Sequence, residues 1–347
     1  MKLLVLDYIS YSGHKNFNKV HIESLIRLGV DVELMGRKGQ FDNIDNVDMF
    51  KVYNMPEWLF KNYPLPSISF RLQGIASLIW VKKHIKCREY DAILVLTYDI
   101  LSLFTFRISN TVILVNHNNV PQLWSKVKYN FTKWLPKDYI HIALNEEMEQ
   151  RLKLLFPLKS VFHVPHGICP PSLALEKPTF IKSSDSFLFC PVNRNYDEVF
   201  VTELFENKSF LDFLEKKKLF LLVKDNVKIT VASKNIIKVS SSLPLAEYNY
   251  LLQNSVAVIL PYDKQFKYRC SGIFFECVAR QKPIIATEID AMKIYQQNVD
   301  MRLFSTADEL IIAIDYYLNN KAQEGNLSVF NPQAYWDVVI KSLLKRQ

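Results

Sequence analysis

Eight glycines in 347 residues is well under half the usual share of about 7 %, so glycine-rich nucleotide loops are thin here. No GxGxxG follows any apolar run, which argues against a dinucleotide oxidoreductase. The five cysteines, Cys87, Cys169, Cys190, Cys270 and Cys277, are odd in number and form no CxxC pair, which argues against a disulfide framework or a structural zinc site. The longest apolar stretch, Ala92 to Phe106, carries Asp99 and falls short of the roughly 20 residues that a spanning helix needs. Asp7 interrupts the N-terminal run after Leu3 to Leu6, so no signal peptide is expected and the chain is expected in the cytoplasm. No DxD-type pair of carboxylates points to a divalent ion, so neither a metal nor a cofactor is expected. No low-complexity tract occurs.

What is present suits a globular chain: 49 % apolar and 22 % charged residues. The length fits two domains of about 150 to 180 residues each. The net charge of +8 is uneven, since residues 1–165 hold 21 Lys and Arg against 15 Asp and Glu, and the remainder 22 against 20. Within the first part, Pro121 to Lys137 carries Lys126, Lys128, Lys133 and Lys137 with no acid, interleaved with Trp124, Tyr129, Phe131 and Trp134. Two readings are open: a helix with a buried aromatic face and a solvated lysine face, or a surface for an anionic membrane or phosphate-bearing partner. No nucleic-acid motif accompanies the charge.

Leu3 to Leu6, a helical pattern from Val20 to Leu28, Gly29 as a left-handed cap and Val30 to Met35 make a strand, helix, strand unit. An irregular stretch with Pro56, Pro64 and Pro66 follows, with Gly36 and Gly39 in the loop after the second strand. The pattern then resumes: a helix near 68–86, strands at Ala92 to Leu96, Thr111 to Val115 and Ile140 to Leu144, a helix from Asn145 to Phe156, and a strand at Val161 to Val164. The cluster from Pro165 to Pro171, including Gly167, is the linker candidate. Beyond it strands are expected at Phe187 to Cys190, Leu219 to Val223, Ile236 to Val239, Ala257 to Leu260 and Pro283 to Ala286. Such alternation predicts α/β architecture, two Rossmann-like doubly wound domains with a cleft between them. The expected division is 1–168 and 169–330, followed by a closing helix over 332–347 whose apolar face must pack elsewhere on the chain.

In doubly wound sheets, ligands bind at the carboxyl ends of strands. The strongest such loop runs from Pro261 to Pro283. It holds Lys264, Lys267, Tyr268 and Arg269, and then Ser271, Gly272 and Ile273 open a helix. A helix N-terminus offers free N–H groups to a phosphate, and glycine lets the phosphate approach. Glu276 lies one turn in, where a carboxylate can accept from vicinal sugar hydroxyls. The plainer alternative is Ser271 as an ordinary N-cap and Glu276 as a solvated helix residue.

This segment, with Tyr268, seven residues, Glu276 and then Gln281-Lys282-Pro283-Ile284-Ile285-Ala286, resembles the GT-B glycosyltransferases, in particular retaining glycosyltransferase family 4. The opening unit, the Val-Pro-His-Gly-Ile linker and the closing helix extend the resemblance over nearly the whole chain, which implies that 1–168 is the acceptor side, with helix 332–347 returning to it, and 169–330 the nucleotide-sugar donor side. The resemblance implies that Glu276 holds the nucleotide ribose and that Tyr268, standing where the family has its first Glu, lies beside the donor sugar. It implies that His117, after the strand Thr111 to Val115, lies near that sugar and that Arg194, after Cys190, neutralises the diphosphate. Val199 occupies the family's lysine position, and Lys224 is the candidate to replace that charge. Gly13, in the first loop, would let the chain pass close to the donor phosphate or acceptor.

The implied activity is metal-independent transfer of a sugar from a nucleotide-diphosphate donor to a hydroxyl of a glycan or polyprenyl-diphosphate-linked acceptor, as in bacterial surface polysaccharide synthesis. Arg194, Arg269, Lys224 and the Ser271-Gly272 helix start would stabilise the leaving group. In the retaining case the leaving phosphate takes the acceptor proton and no side-chain base is required. His14 as general base in an inverting enzyme is the rival to His117 in a sugar-positioning role. A nucleotide-sugar 2-epimerase and a non-catalytic nucleotide-binding protein stay open beside these two.

Overall fold

The structure, a computed structural model, describes residues 1–9, 14–60, 66–108, 110–171, 174–182, 186–192, 196–229, 233–264 and 266–345. The chain divides into two compact units. The first holds Met1–Cys169, Tyr268–Cys270 and Phe330–Gln347; the second holds Pro170–Lys267 and Ser271–Val329.

The first unit is built from β1 (Lys2–Asp7), α1 (Lys15–Arg27), β2 (Asp31–Arg37), β3 (Val52–Met55), α2 (Pro66–His84), β4 (Ala92–Thr97), α3 (Ile100–Leu103), β5 (Thr111–Val115), α4 (Lys126–Trp134), β6 (Ile140–Ala143), α5 (Glu146–Leu155) and β7 (Ser160–His163). Its seven strands lie in the order β3-β2-β1-β4-β5-β6-β7, all in parallel pairs. Leu3 to Leu6 are fully buried, which is why β1 reads as an unbroken apolar run rather than an alternating one: helices cover both faces of a parallel sheet. Leu3 lies opposite Val32 on one side and Ala92 on the other. Gly29, at φ +76, ends α1 with the left-handed residue its position predicts.

The second unit holds β8 (Ser186–Cys190), α6 (Glu198–Phe205), α7 (Lys208–Lys217), β9 (Leu219–Lys224), β10 (Ile236–Val239), α8 (Leu245–Asn254), β11 (Val258–Leu260), α9 (Gly272–Ala279), β12 (Ile284–Thr287), α10 (Asp290–Lys293), β13 (Met301–Phe304) and α11 (Ala307–Asn319). Its six strands lie in the order β10-β9-β8-β11-β12-β13, again all parallel. Each sheet therefore runs outward from its first strand to one side and resumes beside it on the other, the doubly wound order with a switch point at β1/β4 and at β8/β11. Asp197 and Asn207 cap α6 and α7, and Thr306 and Glu309 form a capping box on α11.

The last helix, α12 (Gln333–Leu344), belongs to the first unit. Its Trp336 is fully buried and donates its indole N–H to His21 Nδ1 on α1 at 3.0 Å. The linker candidate is packed rather than loose around Gly167. That residue sits at φ +80, and a Cβ there would come within 2.6 Å of a Val20 methyl.

Three sequence expectations change. Gly36 lies inside β2, not in the following loop, and a Cβ on it would meet Phe41 and the Asp7 carbonyl at 2.9 and 3.1 Å. Val52–Met55, within the stretch read as irregular, is β3, and Met301–Phe304 is an unforeseen strand. Both are edge strands, covered on fewer sides, so their sequences lack the apolar run that marks the central strands.

Candidate functional site

In the first unit, the chemistry gathers at the carboxyl edge of the sheet. Asp7, ending β1, is buried and its carboxylate accepts from Asn18 Nδ2 at 2.7 Å and Gln40 Nε2 at 3.0 Å. It is not among the residues singled out from sequence, although a carboxylate closing an otherwise apolar strand is a visible signal. Gly13 lies outside the described residues. His14, just before α1, has Nδ1 3.3 Å from Thr97 Oγ1 at the end of β4. Its ring lies 4.4 Å from that of His117, centroid to centroid. The two histidines that the sequence left as rivals are therefore neighbours.

His117 follows β5 and is 6 % exposed; among the described residues its Nδ1 has no hydrogen-bond partner. Burial lowers its pKa well below the ordinary value, with like-charge opposition from His14, His166 and His21. Burial also lowers that of His14, against the attraction of Asp7. Both rings are thus neutral at pH 7, and a neutral imidazole is a proton acceptor.

Phe17 stands among these histidines, 4.7 Å from His117, 4.9 Å from His166 and 4.2 Å from His21. The indole of Trp336 can only donate, so His21 Nδ1 accepts and its proton sits on Nε2, which donates to the His166 carbonyl at 2.9 Å. With both nitrogens used, His21 is a packing residue. Among the described residues, no group of three or more His, Cys, Asp or Glu is placed to hold a metal ion.

In the second unit, Arg194 lies outside the described residues. Lys224 ends β9, is 4 % exposed, and donates to the Ser240 carbonyl at 3.2 Å beyond β10. Its ammonium also stands 5.3 Å over the Tyr248 ring, and burial lowers its pKa. The Tyr248 hydroxyl in turn donates to Glu276 Oε2 at 2.9 Å. Tyr248, on α8, thereby joins Lys224 and Glu276, the two polar candidates from β9 and α9. Glu276 is half-buried and hydrogen-bonded rather than freely solvated, and burial raises its pKa. Tyr248 carries no local sequence signal, because its partners are 24 and 28 positions away and only the packing of α8 assembles them.

Ser271 caps α9, accepting from the Phe274 amide at 3.2 Å, and also pairs with the buried Tyr262 hydroxyl. Gly272 is the first residue of α9. Its φ is not left-handed, and a Cβ there would meet nothing within 4 Å. Ile273 is half-buried beside it. Tyr268 and Arg269 are half-buried and group with the first unit, Tyr268 at φ +52.

No protein-family model matches the chain, and no curated protein matches it. Solved structures do. UDP-GlcNAc 2-epimerase from Methanocaldococcus jannaschii matches with a TM-score of 0.59 at 15 % identity, over 99 % of this chain and 100 % of that one. HepE from Anabaena, in complex with UDP and glucose, matches at TM-score 0.61 and 12 % identity, over 99 % of this chain and 100 % of that one. The fold is GT-B. The lipopolysaccharide outer core galactosyltransferase WaaB matches at TM-score 0.57 and 12 % identity, over 99 % of each chain. At these identities the likeness reaches the GT-B fold and does not single out retaining family 4. Epimerases and transferases match alike.

Proposed function

We propose that this GT-B chain binds a nucleotide-diphosphate sugar and breaks the bond between its anomeric carbon and the diphosphate. Gly272 carries the reading. Neither its backbone angle nor any neighbouring atom requires glycine, yet glycine is scarce in the chain. A phosphate lying on the amides of Ser271, Gly272 and Ile273 supplies the missing reason, because a helix start attracts anions and a side chain there would hold them off. Glu276, oriented by Tyr248, accepts from the ribose hydroxyls. In this reading Arg194, Arg269 and Lys224 take up the charge of the leaving diphosphate, and Tyr268 contacts the donor sugar.

Two imidazole rings side by side at the strand ends, His14 and His117 at 4.4 Å, support a reaction that uses a protein base over retaining transfer, which uses none. Two such reactions follow. Epimerisation at the carbon next to the anomeric centre is supported by the likeness to UDP-GlcNAc 2-epimerases. Transfer to a glycan or lipid-linked hydroxyl, in surface polysaccharide assembly, is supported by the likeness to the lipopolysaccharide galactosyltransferase WaaB, and with His14 as base it would invert the anomeric centre.

Incubation of UDP-sugars without acceptor in heavy water separates them. Inversion at that carbon breaks its C–H bond, so epimerisation yields an isomeric sugar carrying deuterium. Transfer leaves the donor unexchanged until an acceptor is added, and NMR of the product anomer then shows inversion. Nucleotide binding without either reaction assigns a non-catalytic binding protein. No thermal shift with any nucleotide diphosphate or nucleotide sugar removes the whole proposal.

A further inference from the structure

Helix α2 is apolar on two opposite sides. Gly74, Ser77, Leu78 and Val81 are buried, while Ile68, Leu72 and Ile79 are 54, 60 and 55 % exposed. Spacings of four and seven residues put those three on one stripe, the pattern a helix lays against an apolar partner. Arg71, Lys82 and Lys83, all exposed, flank it. Helix α4 repeats the arrangement. Val127 and Trp134 are 55 and 57 % exposed, Phe131 lies between them half-buried, and Lys126, Lys133 and Lys137 are exposed. Trp124 too is 58 % exposed, so the segment from Pro121 to Lys137 does not bury its aromatic face.

The two stripes belong to one surface. α3 packs against both helices. Phe104, at its end, meets Phe131 edge-on at 5.1 Å, and Phe131 meets Trp134 at 5.8 Å. Arg107 stacks over Phe104 at 4.4 Å. Burial lowers the pKa of Lys128 of α4 against the attraction of the buried Asp99, and Arg71 of α2 lies close enough to add to the lowering. Residues 58–88 and 100–137 together hold eleven Lys and Arg and no Asp or Glu.

We propose that the exposed face of α2 and α4 docks on an anionic lipid bilayer, with its aliphatic and indole side chains at the acyl boundary and its cations at the headgroups. Charge complementarity selects this occupant. A second copy of the chain would set one predominantly cationic face against another. A nucleic acid would satisfy the cations and leave the aliphatic stripes uncovered. Indole rings favour the interface between headgroup and acyl chain. Among the described residues, no helix is long and apolar enough to cross a membrane, so the face lies on the bilayer. This docking is independent of which reaction the chain performs.

Flotation of the full chain with vesicles of equal phosphatidylglycerol and phosphatidylcholine tests it. The protein should float with them, should not float with phosphatidylcholine alone, and should be released as salt rises well beyond about 0.15 M. The triple variant L72Q/I79Q/W134S, which keeps every cation, should lose about tenfold or more in vesicle affinity. Its thermal unfolding should match the parent, because each side chain is exposed. Absence of flotation with the anionic vesicles overturns the proposal. So does unchanged binding by the triple variant, which would assign the charge to another polyanion, or a dimer that the triple variant abolishes without any vesicle binding.

Discussion

All seven histidines and all five tryptophans of the chain belong to the first unit; the second has neither. The two units share one strand order through their first six strands, yet the carboxyl edge of one is lined by neutral imidazoles and that of the other by a lysine, a tyrosine, a carboxylate and an open helix start. The doubly wound sheet fixes where strand ends gather. The chemistry comes from whichever side chains stand there. Under the proposed reading, the first unit would supply the base and the second would hold the diphosphate.

Acidification should break that comparison most strongly. Burial lowers His21 to about 4 and both His141 and His166 to about 3 from an ordinary 6.5. The unfolded chain takes up these protons first, so the stability the neutral rings contribute is complete above pH 6.5 and is lost as pH falls through about 4 to 3. Each tenfold drop in a ring's proton affinity corresponds to about 1.4 kcal/mol, so the three rings together make the first unit several kcal/mol more sensitive to acid. Tryptophan fluorescence reports that unit alone. It should show an acid transition between pH 6 and pH 4, at roughly the span set by these lowered affinities, while part of the far-ultraviolet circular dichroism remains. A fluorescence signal unchanged to pH 3, below the lowered values, would refute the neutral-ring account.

Two glycines sharpen the contrast next. Gly167→Ala places a side chain at φ +80 and against Val20, and should cost about 1 to 3 kcal/mol in thermal unfolding. Gly272→Ala meets open space, so it should leave stability unchanged and weaken nucleotide-diphosphate binding in calorimetry by about tenfold. Equal stability losses in both would remove the ligand-based reason for Gly272.

Glu276→Ala should weaken nucleotide binding by about tenfold or more, the scale of hydrogen bonds to a charged group, and Arg194→Ala should act in the same direction. Unchanged affinity in both variants would dismantle the donor assignment. In the first unit the effect is expected on stability alone. Trp336→Phe leaves His21 Nδ1 without its donor and should cost about 1 to 2 kcal/mol of stability. Nucleotide affinity should stay as it was, which thermal unfolding and calorimetry together would check.

Leu3 to Leu6, Val112 to Val115 and Ile284 to Ala286 are legible as strands because inner strands buried on both faces need unbroken apolar runs. Ser271 and Glu276 are legible because a cap and a carboxylate one turn later are local features. Edge strands such as Val52–Met55 are not, since a strand with a free side can take polar residues. The pairing of His14 with His117 spans about a hundred positions, and the Lys224, Tyr248 and Glu276 chain joins three separate elements. No local pattern encodes either.

By itself, then, the sequence determined the doubly wound architecture and the strand-end loops that carry the candidate residues, because apolar periodicity, caps and scarce glycines act over a few residues. Only the tertiary structure decided that two histidines offered as rivals share one place, that His21 is consumed by Trp336, and that α2 leaves a second apolar face uncovered. Those outcomes depend on which burial surrounds a side chain, and burial is set by elements far away in the chain.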